Sequence, residues 1–145
     1  MKIINHIEIE NGLKDSGRVY LCGDLQRSNG VEHIKTDGYE IGISEYPEFK
    51  CDKPHYHAFN NEFNFVIAGQ VKVILINEKK EYLFSAGDLF VIEPNEPYIG
   101  KNIAGTRVLF SKSPGGDDKV LVEKNEALIR WSESWEAEYR EGEAE

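Results

Sequence analysis

Apolar and polar residues alternate along most of this chain in short runs. Tyr39-Glu40-Ile41-Gly42-Ile43-Ser44 places Tyr39, Ile41 and Ile43 on one face of an extended segment, the period of two expected for a half-buried strand. Further runs of this kind cover 18–25, the short segment His55-Tyr56-His57, 62–68, 70–77, 81–85, 89–92, 98–102 and 106–112. Asn11-Gly12, Ser16-Gly17, Glu78-Lys79-Lys80, Ala86-Gly87-Asp88 and the Pro-rich stretch 93–97 punctuate them as turns. Many short strands with Gly and Pro between them predict an all-β sandwich or barrel. Residues 26–38 are polar and read as loop. Residues 1–10 alternate loosely, with Ile3, Ile7 and Ile9 on one side, and read as an edge strand or an exchanged arm.

Beyond Gly115-Gly116 the period changes. Leu128, Trp131, Trp135 and Tyr139 are spaced by three, four and four residues, one stripe of an amphipathic helix over about 125–140. Asn125 suits its N-cap. That stripe would lie on the barrel or on a second subunit. The organisation is therefore one β-domain over 1–122 and a helical appendage over 123–141, with 142–145 expected to fray.

Composition narrows the partners. The chain has 145 residues, a net charge of −9 and a pI near 5.0, which argues against nucleic acid or an anionic membrane as a bulk partner. No apolar run approaches the roughly 20 residues of a membrane span. The N-terminus lacks the long apolar core of a signal peptide, so a cytoplasmic location is expected. Cys22 and Cys51 show no Cys-x-x-Cys spacing and are expected as reduced thiols.

The candidate chemistry lies in Pro54-His55-Tyr56-His57-Ala58-Phe59-Asn60-Asn61-Glu62, followed by Gly69. Residues two apart on a strand point to the same face, so His55 and His57 project together. If the chain reverses at 58–61, the Glu62 carboxylate reaches the same point from the next strand. Two imidazoles and a carboxylate suit a divalent Zn, Fe, Mn, Ni or Co ion. Gly69 then ends that strand at a tight reversal.

This arrangement, His-x-His-x4-Glu-x6-Gly over 54–69, resembles the first motif of the cupin superfamily. The stretch 87–102 resembles the second. Gly87 and Asn102 match it, Pro94 lies one place late, and Asn95 stands for the turn glycine, a replacement tolerated at positive φ. Tyr98 occupies the position of the family's last metal-ligand histidine. The resemblance implies a jelly-roll β-barrel and a metal held by His55, His57 and Glu62. It also implies a homodimer formed through sheet edges, for which residues 1–10 and the aromatic helix stripe are candidates. The run 81–119 is similar to stand-alone bacterial cupins associated with surface-polysaccharide synthesis, which implies a sugar or nucleotide-sugar.

Three functions follow. The first is a metal-dependent isomerase or epimerase acting on a small polar, carbohydrate-like ligand, with Tyr98 as proton donor or acceptor. In a metal-free variant, His55 or His57 is the base and Tyr98 the acid, across the cavity. The second is an Fe(II) dioxygenase, since two histidines and a carboxylate leave open positions on iron. The third is a non-catalytic binding barrel. Tyr98 has two further readings, as a weak fourth ligand, which would need phenolate character and a hard ferric ion, and as filler for the space of the missing histidine. Asn64 and Asn102 share the inward faces of Glu62 and Tyr98 and are candidate ligand-binding residues. Arg107 and Lys53 are the candidate cations for an acidic substrate. Phe63, Phe65 and Ile67 face away from Glu62 and are expected in core or intersheet packing. Gly115-Gly116 is a weak candidate phosphate cradle, expected instead to be a loop.

Overall fold

The computed structural model describes residues 1–26, 28 and 30–141; the tail 142–145, expected to fray, lies outside them. Twelve strands form two sheets that face each other. The first has the order β2 (Ile34–Lys35), β1 (Arg18–Gly23), β3 (Glu40–Tyr46), β11 (Thr106–Ser113), β6 (Asn61–Ala68), β9 (Leu89–Ile92). The second has the order β12 (Lys119–Leu121), β5 (His55–His57), β10 (Tyr98–Asn102), β7 (Gln70–Leu75), β8 (Lys80–Ser85), with β4 (Lys50–Cys51) also on β10. This is the all-β barrel that the alternation implied, in the jelly-roll form that the resemblance implied. Between the sheets, Val66, Val71, Val73, Ile92, Tyr98 and Val108 form the core at one end. The other end is open and polar.

The reversals behave as their residues require. Gly69 (φ 79°) links β6 to β7, and a Cβ there would fall 2.4 Å from Thr106 Oγ1. Asn95 takes φ 64° in the turn before β10, where the related motif has glycine. Cys22 and Cys51 are both free.

The N-terminus departs from expectation. It is no strand but helix α1 (His6–Ser16). The Asn5 side chain accepts the Glu8 N–H at 3.0 Å, and Gly17 (φ 74°) closes the far end by donating to the Leu13 carbonyl. Ile9 and Leu13, four apart, then meet Val19 and Val31 on the outer face of the first sheet, while Ile3 and Ile7 stay exposed. Both caps stood in the sequence, but the Ile3-Ile7-Ile9 alternation pulled the reading toward a strand.

The C-terminal helix α2 (Glu126–Ser132) starts where expected, with Asn125 accepting the Leu128 N–H at 2.9 Å, but it stops seven residues on. The reason lies beneath it. Lys101 is completely buried and its Nζ donates to the carbonyls of Trp131 (2.9 Å), Ser134 (2.8 Å) and Ala137 (2.9 Å), above the Trp131 ring at 4.0 Å. Lys72 Nζ likewise takes the Trp135 carbonyl at 2.8 Å. Carbonyls turned onto two lysines are turned away from a helical ladder. The stripe still works as packing: Leu128, Trp131 and Tyr139 cover Ile74 and Ile99 on the outer face of the second sheet. No helix among the described residues is long and apolar enough to cross a membrane.

Candidate metal centre and ligand cavity

His55 and His57 lie on β5 with Tyr56 between them, so both rings enter the barrel and both residues are buried. The chain reverses after His57, and β6 brings Glu62 in from the opposite sheet. The three residues can each present one donor atom, all within 4.8 Å of one another.

The outer nitrogens of the imidazoles are committed. His55 Nδ1 lies 2.7 Å from the Lys53 carbonyl oxygen, and His57 Nδ1 lies 2.7 Å from Asp118 Oδ1. Both partners only accept, so each Nδ1 carries the proton and each Nε2 turns a lone pair inward. His57 Nε2 is 2.7 Å from Glu62 Oε2, yet it is buried without an aligned hydrogen bond. A nitrogen lone pair and a carboxylate oxygen at that distance require a cation between them, either a proton or a metal. The poor alignment for a proton and the oriented Nδ1 partners fit a divalent ion held at about 2.0–2.2 Å.

Asp118 is the residue that sequence reasoning missed. It is buried and accepts four bonds: His57 Nδ1 and Asn60 Nδ2 on Oδ1 (2.7 and 2.6 Å), and the backbone N–H groups of Phe59 and Asn60 on Oδ2 (2.9 and 2.7 Å). It thus fixes the His57 ring and also shapes the reversal between β5 and β6. It lies 61 residues from His57, reached because β12 pairs with β5. Its only sequence signal was an acidic pair at the end of a glycine loop. In that loop the Gly116 N–H donates to Glu40 Oε2 at 2.5 Å, so this amide is taken.

Charge follows from these contacts. Burial pushes the His55 pKa down and favours neutral imidazole. Burial also opposes charge on His57, but Glu62 and Asp118 outweigh it and raise that pKa. For Glu62 burial is again outweighed, here by His57, Lys112 and Tyr98, and for Asp118 by Phe59 N–H, His57 and Asn60 N–H; both carboxyls lie below their usual range.

Tyr98 pairs in register with His55, its ring centroid 4.5 Å away, and donates its hydroxyl to Glu62 Oε2 at 3.1 Å. Burial and the nearby Glu62 and Asp52 carboxyls push its pKa well above 10, so it is a neutral phenol rather than a phenolate ligand. It stands beside the histidines on a neighbouring strand, not across the cavity from them.

The other sequence candidates separate. Asn64 and Asn102 face inward as expected, but they line a narrow cleft of about 50 Å³ below the centre. There they reach backbone carbonyls of Glu62 (3.5 Å) and Lys50 (3.4 Å). Arg107 is not at the site. Alternation along β11 turns it outward, where it binds Glu10 of α1 (2.6 and 2.9 Å) and Glu45 (3.1 Å). Lys53 does not line the cavity either. Phe63, Phe65 and Ile67 are not core; they are exposed on the outer face of the first sheet.

Above the centre opens a cavity of about 1030 Å³. Arg18, Tyr20, Phe110, Lys112 and Lys119 line it together with His55, His57, Glu62 and Tyr98. Its volume and mixed lining suit a small polar molecule.

Residues 45–110 match the cupin domain family. No curated protein sequence matches the chain. Among solved structures, the fold is similar to KdgF from Halomonas sp. (22% identity, 59% of this chain and 77% of that one, TM-score 0.53). It is also similar to the polyketide cyclase RemF from Streptomyces resistomycificus (15% identity, 87% and 88%, TM-score 0.62) and to the DMSP lyase DddQ from Ruegeria pomeroyi (15% identity, 81% and 52%, TM-score 0.59). At these identities the likeness concerns the fold alone. The cupin match over 45–110 falls on the strands of a two-sheet jelly roll, so this chain carries a cupin domain there.

Proposed function

We propose that this cupin holds a divalent transition metal on His55, His57 and Glu62 and acts on a small polar, carbohydrate-like molecule in the cavity above it, by isomerase or epimerase chemistry. The observation that carries the reading is the commitment of both Nδ1 atoms to acceptors, which leaves two Nε2 atoms and Glu62 converging without an aligned proton between them. A bound ion would polarise a substrate carbonyl or hydroxyl. The chain's own residues do the rest. Asp118 and the Lys53 carbonyl hold the rings in one tautomer. Tyr98 keeps its proton, orients Glu62 and is the residue assigned here to donate to a substrate oxygen. The aromatic wall of Tyr20 and Phe110 limits water at the reacting carbons.

The test is elemental analysis of protein purified without chelators or a metal-binding tag, with His57→Ala beside it. A near-stoichiometric metal that disappears in the variant, with the far-UV spectrum unchanged, is expected. Unchanged metal content in His57→Ala would remove His57 from the ligand set. The Fe(II) dioxygenase reading rests on the same three residues and on the neutral Tyr98, which leaves further positions on iron open. Oxygen uptake with Fe(II) and substrate separates the two, because the isomerase turns over anaerobically.

The reading includes a homodimer, with a changed surface. Of the candidates from sequence, the α2 stripe packs on the chain's own second sheet, and residues 1–10 pack on the first through Ile4 and Ile9, with Ile3 and Ile7 left exposed. The available face is the outer side of β6 and β9, where Phe63 and Phe65 stand in register with Val91 and Leu89, all exposed beside Ile67.

A further inference from the structure

We propose that the cavity takes an anionic small molecule, one whose carboxylate or phosphate is gripped by Lys112 and Lys119 on either side of the His55–His57–Glu62 centre. This deepens the reading above and rests on it for the identity of the site.

Three cations enter this cavity, each from a different strand: Arg18 from β1, Lys112 from β11 and Lys119 from β12. Strand pairing places two of them. Lys112 is in register with Glu62, and Lys119 with His57. Residues directly opposite on paired antiparallel strands project to the same side. Each lysine therefore stands beside one member of the centre, one on each sheet, and both point the same way as the residues they flank.

Asp52 in this lining faces the charges of Arg18, Lys50 and Lys119; the other four acids of the cavity already have work. Glu40 accepts the Gly116 N–H, Asp24 pairs with Lys35 at 3.7 Å, Asp117 accepts the Lys119 N–H, and Glu62 is held by His57 and Tyr98. The two lysines do not. Neither side chain has a hydrogen bond or an ion pair within 4.0 Å among the described residues, and Lys112 is half-buried. Lys112 acts on the Glu62 carboxylate opposite it; with Glu62 committed to a metal, both ammonium groups are open to an anion arriving in the cavity. Arg18 is differently placed: its Nε donates to Ser44 Oγ at 2.8 Å and its guanidinium lies 4.7 Å from the Phe110 ring centroid. It adds positive potential on the third side.

The experiment is thermal shift and calorimetry on metal-loaded protein at fixed ionic strength. The probes are glucose, glucuronate and glucose 6-phosphate, with acetate and inorganic phosphate as minimal anions. Wild type is expected to bind at least one charged probe in preference to glucose. Lys112→Met and Lys119→Met should each weaken that binding roughly tenfold, while metal content and the far-UV spectrum stay as in wild type. Glucuronate with acetate, or glucose 6-phosphate with phosphate, identifies the favoured anion. Equal binding of glucose and the charged probes would overturn the proposal, as would no binding of any anion or unchanged affinity in both variants. Metal content separates the two readings. Anion preference in a protein that never takes metal would leave this proposal standing and defeat the metal centre; a metal-loaded protein without anion preference would do the reverse.

Discussion

Asp118→Asn is nearly isosteric, yet it should unmake the site. The carboxylate accepts two bonds on each oxygen, all four at 2.6–2.9 Å, and the side chain has no solvent exposure. Asparagine keeps one oxygen. If that oxygen faces His57 and Asn60 Nδ2, the new NH2 group meets the Phe59 and Asn60 amides donor to donor. If it is flipped, the NH2 group meets Asn60 Nδ2 donor to donor and drives the His57 proton from Nδ1 to Nε2, the tautomer that offers no lone pair to a metal. One or two buried donors are orphaned. At roughly 1–3 kcal/mol for each orphaned donor, with the lost charge added, the cost is about 3–5 kcal/mol. That is a large share of the 5–15 kcal/mol that typically holds a domain together, and corresponds to a fall in Tm of roughly 10–15 °C for a chain of this size. The freed His57 ring should also lose about 10–100-fold in metal affinity. The assay is a thermal melt of the metal-free variant, followed by titration with Zn(II) or Mn(II) against a chelating dye. A Tm within about 3 °C of wild type, together with wild-type affinity, would refute the assignment of Asp118 as the residue that orients His57.

Without metal, Asp118 and Glu62 have folded pKa values below their unfolded ones. Their contribution is therefore present above about pH 4 and lost as the pH falls through the lowered values. His57 is raised, so its contribution is complete below about pH 6.5 and lost as the pH rises through the raised value. Denaturant titrations of metal-free protein should thus peak in mildly acidic buffer, and Asp118→Asn should flatten the acid limb. Lys101→Met removes three hydrogen bonds but also a buried charge whose pKa desolvation brings down to about 8. A net loss of about 2–4 kcal/mol is expected, with faster hydrogen exchange over 131–139; slow exchange there would show that the segment docks without the lysine. Phe65→Glu places a charge on the exposed face of β6 and should shift sedimentation from dimer to monomer at micromolar concentration, whereas a dimer that survives must use another face.

The barrel was legible because alternation and turn residues agree with each other along 40–113, and because His55, His57 and Glu62 lie within eight positions on two consecutive strands. What escaped depended on distance or on competing signals. β12 spans three exposed residues and carries no core pattern of its own, so neither its pairing with β5 nor the placing of Asp118 could be seen. Arg107 had the right chemistry and the wrong parity: one residue along β11 separates the outward ion pair with Glu10 from the inward face of Phe110. Lys112 has the inward parity and the cavity. The length of α2 was hidden because Lys101 and Lys72, far away in sequence, claim the carbonyls that a longer helix would have needed.

The two sheets treat their outer faces differently. The second is largely covered by the chain's own Leu128, Trp131 and Tyr139, and the β1–β3 end of the first by α1. At the β6–β9 end Phe63, Phe65, Ile67, Leu89 and Val91 are exposed together, with Leu83, Leu121, Ile3 and Ile7 exposed elsewhere. A molecule with two adhesive faces can polymerise head to tail, whereas one with a single self-complementary face can only pair across a two-fold axis and stop. The clasp that Lys101 makes on the C-terminal segment therefore also keeps apolar surface out of assembly. Truncating the chain before Trp131 is expected to bare Ile74 and Ile99 and give the barrel a further apolar face, so that a pair formed through β6 and β9 could grow beyond two copies.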